Sequence, residues 1–305
     1  MSVPARRRTA ARFVPLDRAL EGLPLFRLSD SAEDAPLSFS TPDGGRWRVL
    51  PAPGDRLPGT FDQDIYVELM RRFHEAQAPA DGVITFTLHA FLRSMGRRVD
   101  GRTYEQLRSG LVRLERTRLE SLGAYHSATA GRAVDASFTL LSSVAIERRR
   151  ESDRAQLALF DTTTAPEPGE ARVVLAPLVR ENVTARHVVT LAVARYLALG
   201  SAVARRLYRL LEVARAQGHL AWRVSLEDLK ELLPLVQRYP SHLQRVLQPA
   251  HDALVEVGVL RSATVRQHRR AWHVDYVLGH RDAGPVGGAG QGASAQAGGT
   301  APPAT

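Results

Sequence analysis

The sequence predicts a helix-rich α+β fold built from two tandem units, and three observations carry this. The order helix, short strand, short helix, long helix, two-stranded ribbon is read twice along the 305 residues. Leucines recur between the two runs at nearly constant offset: Leu88 with Leu226 at 138, and Leu107 and Leu111 with Leu243 and Leu247 at 136. A hydrophobic content of 44% is enough for a core, while Arg-, Gly- and Pro-rich stretches flank and separate the two runs.

In the first run, two β-rich segments around Pro42-Asp43-Gly44-Gly45 read as a hairpin. "GTFDQDIYVELMRRFHEAQ" follows, with Thr60 or Asp62 as a helix cap and Ile65, Leu69 and Phe73 at helical spacing. "GVITFTL" alternates like a strand, "HAFLRSMG" is a short helix stopped by Gly96, and "GRTYEQLRSGLVRLERTRLESLG" is one long helix. "LGAYHSA", a Gly/Arg tip and "AVDASFTLLSSVAIERR" then make strand, turn and strand. In the second run the same parts are "SAVARRLYRLLEVARAQG", "LAWRVSL", "EDLKELLPL", "YPSHLQRVLQPAHDALVEVG" and the ribbon "VLRSATVRQHRRAWHVDYVLGH". "RWRVLPAP" leads into the first run and "ARVVLAPLVRENVTARHVVTLAVARYLALG" into the second. Pro249 inside the last long helix is expected to kink or interrupt it.

This order is that of the winged-helix variant of the helix-turn-helix, so two tandem winged-helix domains are expected. Their third helix enters the DNA major groove and the ribbon touches the backbone or minor groove. The expected boundaries are a disordered basic tail over 1–22, a first domain over 23–147, a linker over 148–171, a second domain over 172–281 and a disordered Gly/Ala/Pro tail over 282–305.

Charge points the same way. Lys plus Arg is 41 and Asp plus Glu is 32, a net +9, and all but Lys230 of the basic residues are arginine. Guanidinium suits phosphate because it binds in a bidentate fork, and a basic chain favours a nucleic-acid partner. On the first long helix, Tyr104, Leu107, Leu111 and Leu114 fall within about 80° of one another. Arg102, Gln106, Ser109, Arg113 and Arg116 cluster opposite, as partners for base edges and phosphates. Arg97 and Arg98 stand in the turn just before, where phosphate contacts fall. On the second, Leu243, Val246, Leu247, Ala250, Leu254 and Val257 share a face. Ser241, Arg245 and Gln248 point away, Arg238 and Tyr239 precede the helix, and Pro240 suits its first turn. The ribbon tip adds Arg266, His268, Arg269 and Arg270. The alternative for either helix is a solvated basic face. Charge alone also admits RNA, but no aromatic-rich strand pattern for stacking bases is present.

Other classes find less support. No apolar run approaches a membrane span, and the basic N-terminus lacks the apolar stretch of a signal peptide. The absence of cysteine removes thiol catalysis, disulfides and thiolate metal sites, and fits a cytoplasmic protein. There is no phosphate-binding G-x-x-x-x-G-K-[ST] loop, no H-x-H pair, no H-E-x-x-H and no G-x-S-x-G. Asp62 and Asp64, at alternate positions of a helix start, do not share a face and suit the helix dipole. His74, His89 and His126 read as ordinary surface or half-buried residues, and the histidines form no ligand cluster. No catalytic residue, metal or cofactor is expected.

Several segments resemble the replication initiator protein A family, the Rep-type plasmid replication initiators. They are "LPLF" (23–26), "RWRVLPAPGDRLPGTFDQDIYVELMRRF", "ARRLYRLLE" (204–212) and "HLQRVLQPAHDALVEVGVLRSATV", and the likeness runs over about residues 23–280. The chain departs from the family in its nearly lysine-free basic faces and in Pro249. The resemblance implies a non-enzymatic protein that binds direct repeats in double-stranded DNA at a plasmid origin. It also implies opening of an adjacent AT-rich segment, recruitment of host replication proteins, and homodimers that repress their own gene at an operator. A winged-helix transcriptional repressor and a structural or partition scaffold remain the alternatives.

One stretch fits neither domain. Gln156-Leu157-Ala158-Leu159-Phe160 sets large apolar side chains in a charged linker, and it resembles the Gln-Leu-x-Leu-Phe motif by which bacterial replication proteins dock on the sliding clamp. Leu and Phe anchors on an extended peptide suit an apolar groove. The alternative is a short strand packed on a domain.

Overall fold

The computed structural model describes residues 12–28, 35–147, 170–269 and 271–280. The chain opens with β1 (Phe13–Asp17) and α1 (Arg18–Glu21), then the hairpin β2 (Leu37–Ser40) and β3 (Arg46–Leu50). The first repeated run is α2 (Thr60–Glu75), β4 (Val83–Thr87), α3 (Leu88–Ser94) and α4 (Gly101–Arg116). Four strands follow: β5 (Arg118–Ser127), β6 (Arg132–Phe138), β7 (Leu141–Ile146) and β8 (Glu170–Leu175). A connecting region holds α5 (Pro177–Thr184), β9 (Val188–Ala192) and α6 (Val193–Ala198). The second run is α7 (Ala202–Ala216), β10 (Ala221–Ser225), α8 (Leu226–Leu232), α9 (Pro240–Glu256), β11 (Leu260–His268) and β12 (Ala271–Leu278). The result is a mixed α/β fold of helices packed on small antiparallel sheets.

The sheets change the sequence reading of the first run. In the second run the order is β10-β12-β11, and its counterpart is β4-β8-β7. The ribbon beside β4 is therefore β7 with β8, while β5 and β6 pair with the hairpin in a separate sheet, β2-β3-β5-β6. "RVVL" at 172–175 thus completes the first run rather than leading into the second. The segment expected to be a linker leaves β7 and returns as β8, and the Glu147 N–H donates to the Glu170 carbonyl at 3.0 Å across its base.

The predicted long helix over 101–123 ends at Arg116, because Leu119, Ser121 and Tyr125 are buried on β5, which pairs with β3. Period-two burial against a waiting sheet edge wins over the helical spacing of the leucines. Pro249 does not interrupt α9, which is continuous from Pro240 to Glu256. The hydrogen bond that proline removes would have ended on the Arg245 carbonyl, and both residues lie on the exposed face, where water can take that acceptor.

Residues 12–22, expected in a tail, are ordered. β1 pairs antiparallel with β9 from Phe13↔Ala192 to Asp17↔Val188, burying Val14 and Leu16. The Asp17 carboxylate caps α1 and accepts from the Asn182 side chain at 3.0 Å and from the Tyr125 hydroxyl. Glu21 is buried between Arg206 and Arg209 of α7, at 3.2 and 3.1 Å. Arg209 also donates to Gln63 of α2 at 2.8 Å. One continuous apolar core runs through both repeats. Residues 1–11 and 281–305 lie outside the described residues.

Candidate nucleic-acid interface

The long helix of the first run is anchored at both ends. Asp100 caps α4 by accepting from the Thr103 N–H at 2.9 Å, and this bond holds its carboxyl below the usual range. Leu107, Leu111 and Leu114 are buried. Arg102, Gln106 and Arg116 are exposed and Ser109 is half-buried, so these four lie away from the core as the periodicity requires. Arg113 does not. It is only 7% exposed and sets its guanidinium on both oxygens of Asp62 in α2, each at 2.7 Å. The cause is Gly110, where an added Cβ would stand 2.4 Å from the Ile65 side chain. The missing side chain lets α2 approach that flank of α4 and cover Arg113. A wheel built from apolar side chains alone reads this flank as open.

The turn before α4 splits its two arginines. Arg98 is exposed, with Asp100 at 3.5 Å. Arg97 is half-exposed and bonds Asp64 of α2 at 2.5 Å. Asp62 and Asp64 thus each hold an arginine rather than only facing the helix dipole. As expected, they do so on different sides of α2.

On α9, Leu243, Leu247, Ala250 and Leu254 are buried and Val246 and Val257 are half-buried. Arg238, Ser241, Arg245 and Gln248 are all exposed, with Gln248 donating to Asp252 at 2.8 Å. Pro240 occupies the first turn. His251 is buried against the Tyr276 hydroxyl at 2.9 Å, and burial lowers its pKa to about 4. In the β11–β12 ribbon, Arg266, His268 and Arg269 are exposed, while Arg270 lies outside the described residues. Asp275 lies between Arg223 at 2.5 Å and Arg266 at 4.0 Å, which offsets part of the basic charge lower on the ribbon. Arg269 has φ +55°, in the left-handed region that glycine or asparagine fills more cheaply. Gln156, Leu157, Leu159 and Phe160 lie outside the described residues.

The two long helices therefore stand at matching points of matching runs, α4 after β4–α3 and α9 after β10–α8, each with an exposed Arg/Gln/Ser face. Residues 17–233 match the replication initiator protein A family. The chain belongs to that family. Within this initiator family member, the matched stretch runs from the α1 cap to the end of α8. Its fold resembles a crystal structure of domains 2 and 3 of RctB in selenomethionine form, with TM-score 0.59 and 14% identity over 86% of this chain and 98% of that one. A second crystal structure of RctB domains 2–3 gives 0.52 at 11% identity, over 86% and 96%. The Pi initiator protein, crystallised with iteron DNA, aligns over 90% and 100% at 13% identity and a TM-score of 0.48. No curated protein matches the chain.

Among the described residues of the initiator, no three His, Asp or Glu side chains are grouped to hold a metal ion. No helix among them is long and apolar enough to cross a membrane. The partners that sequence reasoning missed are acidic or buried: Asp62, Asp64, Arg205, Arg206 and Arg209. The available signal was an arginine excess carried into apolar helices, since Arg206 and Arg209 stand among Leu207, Leu210 and Leu211.

Proposed function

We propose that the chain is a non-enzymatic replication initiator that binds repeated sequences in double-stranded origin DNA through two winged-helix units. The first unit comprises α2, β4, α3, α4 and the β7–β8 ribbon; the second comprises α7, β10, α8, α9 and the β11–β12 ribbon. The observation that carries the reading is the pair of equivalent long helices, each with an exposed face of arginine and amide or hydroxyl side chains. Arginine suits guanine and glutamine suits adenine in the major groove, and the net charge of +9 favours the phosphate backbone. Arg102, Gln106, Ser109 and Arg116 read the groove from α4, and Ser241, Arg245 and Gln248 read it from α9. Arg97, Arg98 and Arg238 position the helices on phosphates, and Arg266, His268, Arg269 and Arg270 do so from the second ribbon. Arg113 is excluded from the reading set by its pairing with Asp62. Family membership supports action in replication, with host replication proteins as further partners. The Gln156–Phe160 segment, which lies in the sequence between β7 and β8, is read as a docking peptide for a sliding clamp.

Footprinting on the DNA flanking the gene tests this. Protection of several direct repeats is the expected result. A lone inverted repeat would favour a repressor, and no protected site at all would sink both DNA readings.

A further inference from the structure

Two arginines from opposite repeats share one buried carboxylate. Asp64 of α2 is 6% exposed, and its Oδ2 accepts from Arg97 Nη2 and from Arg205 Nη1, each at 2.5 Å. Its Oδ1 accepts from the Tyr196 hydroxyl of α6 at 2.9 Å. Arg205, in the first turns of α7, is fixed further by a bond from Nε to the Leu199 carbonyl at 2.8 Å and by stacking over the Tyr196 ring.

The neighbouring charges balance among themselves: Glu68 holds Arg71 and Arg72, and Arg71 also holds Glu75. Among the described residues the Asp64 group does not balance, with one negative charge for two positive ones. The surplus stands on Arg97, whose side chain is 39% exposed against 13% for Arg205. Arg97 also packs over the Phe61 ring at 5.5 Å. Its bond to Asp64 uses Nη2, and a guanidinium has five N–H donors in a rigid fork. A half-exposed, oriented guanidinium with uncompensated charge, in the turn that precedes α4, is suited to a phosphate oxygen. Arg98 beside it is 89% exposed and is backed by the half-exposed Asp100 at 3.5 Å rather than by a buried carboxylate.

We infer that Asp64 is a positioning residue for a DNA phosphate contact made by Arg97, and that Tyr196 of the connecting region and Arg205 of the second repeat hold Asp64 for that role. The inference rests on the DNA-binding reading above. It makes one backbone contact of the first reading helix dependent on Arg205 of the second repeat and Tyr196 of the connecting region, so the two repeats bind as one unit.

The test is phosphate-ethylation interference with the full chain, on the duplex that the wild-type protein protects in the DNA flanking its gene. Arg97→Ala and Asp64→Asn are expected to remove interference at the same single phosphate and to weaken binding about tenfold each, the scale of one charge-assisted hydrogen bond. Arg97→Ala should lower the slope of affinity against salt by about 1. The double variant should bind no more weakly than Arg97→Ala alone. Tyr196→Phe deletes one hydroxyl and gives a readout that does not depend on Asp64→Asn folding: it should weaken binding about threefold, at that phosphate only. Full interference at that phosphate in folded Asp64→Asn and in Tyr196→Phe would overturn the inference, as would a loss spread evenly over all phosphates. If the wild-type chain protects no duplex, the DNA-binding reading itself fails; wild-type protection with unchanged variants removes only the role of Asp64.

Discussion

Arg113 of α4 and Asp62 of α2 meet through both carboxylate oxygens at 2.7 Å, with neither side chain more than 9% exposed. Asp62 also accepts from the Gly59 N–H at 2.7 Å, so it ties the start of α2 to the face of α4. Removing one partner of such a pair leaves the other charge buried. Arg113→Ala should therefore cost roughly 3–5 kcal/mol of stability in denaturant unfolding. In a double-mutant cycle with Asp62→Ala the two losses should be clearly less than additive. A normally stable Arg113→Ala protein with impaired DNA binding would return Arg113 to the reading face.

Arg116 and Arg245 provide the contrast, since both are exposed on their helices. Arg116→Ala and Arg245→Ala should each leave stability within about 0.5 kcal/mol. If each reads a base, binding to the footprinted site should weaken by about 1–3 kcal/mol, with relaxed specificity at one base pair. Competition binding against single-base variants of the site measures both effects. Unchanged affinity in the two variants would remove α4 and α9 from the reading role.

Asp17 gives the fold a pH dependence of known sign. Burial raises its pKa from 3.8 to about 7, against the opposing hydrogen bonds from Tyr125 and Asn182. The folded state thus binds a proton that the unfolded state releases between these values. The stability associated with neutral Asp17 is complete below about pH 4 and is lost as pH rises through 7, on the order of 4 kcal/mol in all. His187 and His251, both lowered to about 4 chiefly by burial, act in the opposite direction: their contribution is lost as pH falls below 6.5. Asp17→Asn keeps a neutral side chain at every pH and leaves both histidines in place. Its stability relative to wild type should therefore rise between pH 5 and pH 8, measured by urea unfolding. A difference that stays flat across that range would show that Asp17 is charged in the folded protein.

The Gln156–Phe160 reading has a direct assay. A peptide of residues 152–164 is expected to bind a bacterial sliding clamp, and Leu159→Ala with Phe160→Ala should abolish binding in fluorescence anisotropy. Because the segment leaves and re-enters one sheet at Glu147 and Glu170, shortening it within 150–167 should leave the thermal unfolding midpoint unchanged. Equal binding by the double variant would remove Leu159 and Phe160 as the anchors, and no binding by the wild-type peptide would remove the clamp as a partner of this segment.

Much of this was legible in the residues. The repeated run of elements, the start of each long helix and the exposed set Arg238, Ser241, Arg245 and Gln248 follow from apolar spacing, capping residues and Gly/Pro punctuation, which act within an element. The family resemblance also came from linear segments. β1 was less visible, since five residues after an Arg-rich start gain their order from distant partners, above all from pairing with β9 more than 170 residues away.

Sequence alone determined where the long helices begin and that the chain repeats itself, because capping and periodicity are local; it did not show that 118–123 is strand or that 13–17 is ordered. Tertiary structure decided which neighbour covers each face. It assigned the first ribbon to β7 and β8 rather than β5 and β6, since strand pairing depends on the partner edge and not on the strand's own pattern. It turned Arg113 inward where Gly110 admits α2, and it set Arg97 and Arg205 on a single carboxylate. An arginine carries the same charge in every context; whether it faces water, a phosphate or a buried aspartate is fixed only when distant helices close around it.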